Sequence, residues 1–194
     1  MTAQPPDKIL SLAVEYRADK REDKIDLGVG VYKNAAGQTP IMEAVKTAEK
    51  ALWNAETTKS YVALAGDAGF ADAMINLVLG DSVTRDRVSA AATPGGTGAV
   101  RQGFDLIAMA NPNATIWISD PTWPNHLSIL KHMGVSFKTY RYFDAETRGV
   151  TLDGMLEDLR DAKAGDVVLL HGCCHNPTGA ILTAPEWDAV LALM

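Results

Sequence analysis

Apolar residues recur along this chain with helical spacing at first, and later in short runs and alternations separated by helical stretches. Ile9, Leu12, Ala13 and Tyr16 stand three or four residues apart and predict a short first helix. Lys24 to Tyr32 holds two glycines and reads as a strand or an extended loop. Thr39-Pro40 has the form of a helix start, a capping residue before proline. Ile41, Val45, Ala48 and Leu52 give that helix one apolar face. Residues 57–69 read as loop, and Phe70, Ala73, Met74 and Leu77 mark the next helix.

From Val88 the order becomes strand, loop, helix, repeated. Val88 to Thr93 reads as a short strand, and Gly98 leads into a helix with Val100, Phe104 and Ile107 on one face. Thr115 to Ser119 is the next strand, followed by a helix from Pro124 to about Met133 that Gly134 stops. Val135, Phe137 and Thr139 alternate with polar neighbours, predicting a strand. Leu152, Leu156 and Leu159 predict a helix, and Val167 to Leu170 a buried strand. Such alternation predicts an α/β fold, a mostly parallel sheet covered by helices. Thr183-Ala-Pro-Glu186 is a capping-box signature, after which Trp187, Val190, Leu191 and Met194 form an apolar stripe. The sequence stops inside that stripe without a glycine or a basic last turn, so a truncated piece of a longer protein is expected.

Bulk properties narrow the classes. The 194 residues are 47% hydrophobic, enough for one substantial core and for one or two domains. A net charge of −6 argues against a nucleic-acid surface. No apolar run approaches the roughly 18–20 residues that cross a bilayer. Met1 to Asp7 is polar and lacks a signal core, so a cytoplasmic location is expected. Cys173 and Cys174 are adjacent, which strains any disulfide between them and favours free thiols in a reducing compartment.

Candidate chemistry gathers where strands give way to loops. Gly95-Gly-Thr-Gly98 sits between a predicted strand and a helix, where amides and the helix N-terminus suit a phosphate; a plain tight turn reads the same way. Trp123 follows a strand and could stack on a flat ligand or cap the sheet as a core residue. His126 could orient an acidic group beneath a ligand ring, or be a satisfied core histidine. Asn176, in His171-Gly-Cys-Cys-His-Asn-Pro-Thr-Gly179, offers an amide donor and an acceptor at a strand end, where open α/β sheets bind ligands. Tyr61 offers a phenol in a loop, to an anion or to the surface. Gly28 and Gly30 either relieve crowding or, at Gly30, let a carboxylate lie against the main chain. His171, Cys173, Cys174 and His175 are bunched into five residues with no second ligand pair elsewhere, which argues against zinc.

Taken in order, these segments resemble the class I aminotransferases that use pyridoxal 5'-phosphate, over essentially the whole chain. The residues that carry the resemblance are Asp26-Leu-Gly-Val-Gly-Val-Tyr-Lys33, Glu56-Thr-Thr-Lys-Ser-Tyr61, Gly95-Gly-Thr-Gly-Ala99, Ser119-Asp-Pro-Thr-Trp-Pro-Asn-His126, Tyr140-Arg-Tyr-Phe-Asp144 and His171 to Gly179. The likeness is to the bacterial aspartate and aromatic-amino-acid aminotransferases. It implies a fold-type-I transferase, with residues 1–39 forming an arm and part of a small domain and residues 40–194 the first part of the large domain. It implies that Gly95, Gly96 and Thr97 hold the cofactor phosphate, that Trp123 stacks on the pyridine ring, and that Asn176 bonds the phenolic oxygen and a substrate carboxylate. Gly30 would touch substrate through its backbone, and Tyr61 would reach the phosphate in the neighbouring subunit of a homodimer. His126 and His171 would lie behind the residues that touch the cofactor, and the Asp120-Pro121 and Asn176-Pro177 peptides would be cis.

The departure from the family is large. Its Schiff-base lysine lies beyond the Asn-Pro-Thr-Gly motif, and no lysine follows Lys163 here. The aspartate for the pyridine nitrogen and the carboxylate-binding arginines are absent too. The resemblance therefore implies a transaminase for the complete protein, with amino acid and 2-oxo acid substrates, and an inactive fragment. A non-catalytic protein that kept the pocket, or a lyase on the same fold, are the alternatives. The segment from Ser119 to Gly149 leans towards dual aromatic and dicarboxylic specificity.

Overall fold

Strand β1 (Ile116–Asp120) lies at the centre of a three-stranded parallel sheet in the order β2–β1–β5, with β2 spanning Phe137–Arg141 and β5 Val167–Val168. This computed structural model describes residues 8–26 and 30–194, and its contacts divide the chain into units 1–61 and 62–194. The sheet belongs to the second unit. Its helices are α3 (Ala68–Leu79), α4 (Gly95–Ala110), α5 (Pro124–Met133), α6 (Leu152–Leu159) and α7 (Ala184–Leu193). The first unit holds α1 (Lys8–Ala18) and α2 (Glu43–Ala55). No helix among the described residues is long and apolar enough to cross a membrane.

Period-two alternation in β1 divides the core between the two faces of the sheet. Ile116 and Ile118 pack with Phe104 of α4 and Leu130 of α5. Trp117, on the opposite face, joins Tyr140, Tyr142, Met155, Leu159, Leu182 and Val190. Trp117 Nε1 donates to Asp166, and Lys138 lies 5.0 Å over its indole. Covering both faces is what a parallel sheet requires, and it explains why β1 and the run from Val167 to Leu170 read as nearly continuous apolar stretches.

Most predicted elements are present. Helix α1 carries the Ile9–Tyr16 pattern, α3 begins on Asp67, whose side chain caps Phe70 N, and Gly134 ends α5 in the left-handed region (φ 68°). The capping box at Thr183 forms, with both Thr183 N and Oγ1 bonded to Glu186. Of the stripe beyond it, Val190 is buried and Trp187 packs on the core, while Leu191 and Met194 are exposed. Both expected cis peptides, Asp120-Pro121 and Asn176-Pro177, are present.

Several expectations need correction. Helix α2 starts at Glu43 rather than at Thr39-Pro40: Met42 is extended, and its carbonyl takes the first helical bonds from Val45 and Lys46. None of α2 is buried, so its apolar face of Val45 and Leu52 is uncovered. Val88 to Thr93 is not a strand. The segment has no ladder partner among the described residues, and Ala92 N donates to Ala65 O. Helix α4 starts at Gly95, three residues before Gly98. In β2, Thr139 is exposed and Tyr140 is buried, because the face opposite Phe137 is covered as well. A two-stranded antiparallel hairpin, β3 (Phe143–Asp144) with β4 (Gly149–Val150), follows β2 without having been expected. Gly28 lies outside the described residues.

Leu130 is fully buried between α4, α5 and β1. Leu130→Ala is expected to lower unfolding free energy by about 2–5 kcal/mol. Thr139→Ala, at an exposed position, should change it by less than about 0.5 kcal/mol. Urea denaturation of the two variants checks this, and equal effects would contradict the assigned core.

Candidate functional site

Parallel pairing delivers the loops after β1 and β5 to the same sheet edge. Trp123 follows β1, is half-buried and is the N-cap of α5. Pro124 stands at the first helical position, where its missing N–H costs nothing. His126, one residue short of a full turn inside α5, is buried and shares a 2.8 Å hydrogen bond between its Nδ1 and Thr122 Oγ1. His171 and His175 come from the loop after β5.

These side chains form one row of rings. Trp123 meets His126 edge-on at 5.3 Å, and His126 meets His171 edge-on at 5.3 Å. His171 stacks on His175 at 4.3 Å, and His175 stacks on Tyr142 at 4.0 Å. Asn176 begins at the far side of His171: its backbone N–H donates to His171 Nδ1 at 3.2 Å, and its side chain is exposed. Since His171 Nδ1 accepts, the neutral ring carries its proton on Nε2. That Nε2 is buried and has no partner among the described residues.

Burial holds the histidines neutral. Desolvation, then repulsion from His171, lowers His126 to about 4. Desolvation, then the charges of His171 and His126, lowers His175 to about 4. Desolvation alone pushes His171 down. The ring row is therefore an uncharged wall at neutral pH.

The first turn of α4 lies beside the start of α5, since Asn125 Nδ2 donates to Thr97 Oγ1 at 3.1 Å. Gly95 takes a left-handed φ of 70°, which glycine adopts freely, and no atom lies within 4 Å of where a Cβ would stand on Gly95 or Gly96. No acidic residue occupies that turn and no side chain caps it. The first amides of a helix have no carbonyl partner within it, so this end offers donors and partial positive charge to an anion.

Of the residues singled out from the sequence, Gly95, Gly96, Thr97, Trp123, His126, His171 and Asn176 all lie in the second unit, linked by the contacts above. Gly30 and Tyr61 lie in the first unit, where both are exposed. Cys173 and Cys174 are free and exposed. Sequence reasoning missed Ser119, Thr178 and Tyr142, and considered His175 only as a metal ligand. One usable signal existed: Ser119 shares strand parity with Trp117 and so points to the same covered face.

Comparison with known proteins gives the class. Residues 22–194 match the family model for aminotransferase class I and II, and the chain belongs to that family. It is 56% identical over 191 residues to an aromatic-amino-acid aminotransferase of Paracoccus denitrificans, a match that covers 98% of this chain and 48% of the relative. It is 43% identical to the aspartate aminotransferase of Escherichia coli K12, covering 100% of this chain and 50% of that one. Among solved structures, an aromatic amino acid aminotransferase with 3-indolebutyric acid superposes with a TM-score of 0.94 at 56% identity, over 100% of this chain and 49% of that one. Another, from Burkholderia pseudomallei and covalently bound to pyridoxal phosphate, superposes at 0.92 with 40% identity, over 99% and 49%. The chain thus spans about half the length of the curated relatives it matches. The fold is that of the fold-type-I transferases.

The depressed histidines make stability depend on pH. The unfolded chain binds protons at histidine near pH 6.5, the fold only near 4 at His126 and His175, so acid favours unfolding between those values. The contribution is complete above about pH 6.5 and is lost progressively as pH falls towards about 4. His126→Gln is expected to flatten this part of the urea-midpoint curve. An unchanged slope would contradict a neutral, buried His126.

Proposed function

We propose that the complete protein containing this chain is a pyridoxal 5'-phosphate-dependent aminotransferase. It moves an amino group between an aromatic or dicarboxylic amino acid and a 2-oxo acid such as 2-oxoglutarate. The observation that carries this reading is the contact path from the α4 N-terminus through α5 to Trp123, His171 and Asn176. Identity of 56% to an aromatic-amino-acid aminotransferase supports it and favours an enzyme over a non-catalytic binding protein.

The chemistry of these residues fits the cofactor. An uncapped helix end with open space at Gly95 and Gly96 suits a phosphate dianion. A half-buried indole on an uncharged wall suits a pyridine ring. The exposed Asn176 amide suits a phenolic oxygen. In this reading Gly95, Gly96 and Thr97 bind the phosphate, Trp123 orients the ring, and Asn176 donates to the phenolic oxygen and to a substrate carboxylate. When bound, the cofactor supplies an electron sink that makes the substrate α-proton acidic. The part played by this chain is positioning and exclusion of water, with Gly30 contributing main-chain contact to the substrate. His126 and His171, both neutral, keep the wall behind the ring from carrying charge of their own. By its resemblance to the family, proton transfer would belong to a lysine beyond the Asn-Pro-Thr-Gly motif rather than to one of these residues.

Tyr61 reaches the phosphate held by a second subunit, so the working form is a homodimer. Residues 1–39 belong to an arm and small domain, and residues 40–194 to the first part of the large domain. The protein works in the cytoplasm.

The test is turnover by the purified full-length polypeptide with 2-oxoglutarate and each of aspartate, tyrosine and phenylalanine. All three are expected to react, and residues 1–194 alone to be inactive. Trp123→Ala should lower kcat/KM about tenfold or more, equivalent to about 1.4 kcal/mol. Absence of transamination would overturn the reading, and activity with aspartate alone would overturn the dual specificity.

A further inference from the structure

His175 is the most enclosed ring of the row, 2% exposed. Its two faces are taken by His171 and Tyr142, with interplanar angles of 20° and 19°. Both ring nitrogens are bonded: Nε2 to Ser119 Oγ at 2.8 Å and Nδ1 to Thr178 Oγ1 at 2.8 Å.

Ser119 and Thr178 thus hold the ring at both of its nitrogens. Thr178 Oγ1 in turn accepts from Ala180 N–H at 3.2 Å. Ser119 is paired with Tyr140 across β1 and β2, and the Tyr140 hydroxyl donates to Leu169 O at 2.8 Å. Loss of either hydroxyl would leave a nitrogen of a buried ring without its partner.

We propose that His175 is a positioning residue: held at both ring nitrogens by Thr178 and Ser119, it fixes the plane of His171 and the turn that presents Asn176. His175 immediately precedes Asn176, and the ring it stacks on accepts the Asn176 amide. The strand β1 thus acts on the Asn176 turn across 56 residues of sequence. The functional consequence rests on the transaminase reading; the clamp on the His175 ring does not.

The full-length protein, labelled with 15N in its histidine rings, tests this by NMR with and without added pyridoxal phosphate. Ser119→Ala and Thr178→Val, folded by circular dichroism, should each shift the His171 ring signals and weaken pyridoxal phosphate binding about tenfold. Ser119→Thr, which keeps the hydroxyl, should restore both readouts towards wild type. Unchanged His171 signals in both variants would overturn the proposal. If the wild type binds no pyridoxal phosphate, the transaminase reading fails, and the His171 signals alone decide the role of His175.

Discussion

Parallel pairing of β1 with its neighbours is the constraint on which the site depends. Strands that run the same way deliver their following loops to one edge, and β1 and β5 are paired through Ile116–Val167 and Trp117–Val168. Leu169 N extends the pairing to Trp117 O. Residues from 121–126 and 171–179 meet there although about 50 residues separate them. The pairing is held by burial on both faces: one cluster around Ile116 and Ile118, another around Trp117 and Tyr140. Loss of either cluster would free the strands, and the ring row would lose its alignment.

The electrostatics follow the same division. Charged groups pair at the rim, where Arg141 bonds Glu157 and Asp158, and where Asp166 takes bonds from Thr115, Trp117 and Lys163. Those bonds hold Asp158 and Asp166 below the usual carboxylate range. The interior edge of the site has the opposite character: three neutral histidines and two tyrosines pushed up by burial. A ligand with its own charges would meet fixed dipoles there rather than competing ions. Its anionic part would find the α4 N-terminus, which carries no carboxylate.

Local rules made much of this legible in the sequence. Helical spacing located α1, α3, α5 and α6, and capping chemistry located the start of α7 and the end of α5. Trp123 and Asn176 were marked by turn residues next to apolar strands. What was not legible depends on distant partners. Val88 to Thr93 has strand composition, yet a strand needs a ladder partner, which composition does not supply. Thr39-Pro40 carries a start signal that the extended conformation of Met42 overrides. Tyr140 reads as the polar side of an alternation because one-sided burial was assumed. The network through His175 joins Ser119 to a residue 56 positions away, a relation without a sequence period.

The central claim is that this sheet edge holds a phosphorylated aromatic cofactor between the α4 N-terminus, Trp123 and Asn176. A crystal structure of the full-length protein grown with pyridoxal phosphate tests it most directly. The account predicts the phosphate at the amides of Gly96 and Thr97, the indole of Trp123 against the pyridine ring, and the Asn176 amide within hydrogen-bond distance of the phenolic oxygen. Cofactor bound elsewhere, or bound with Trp123 turned away and Asn176 out of reach, would contradict it.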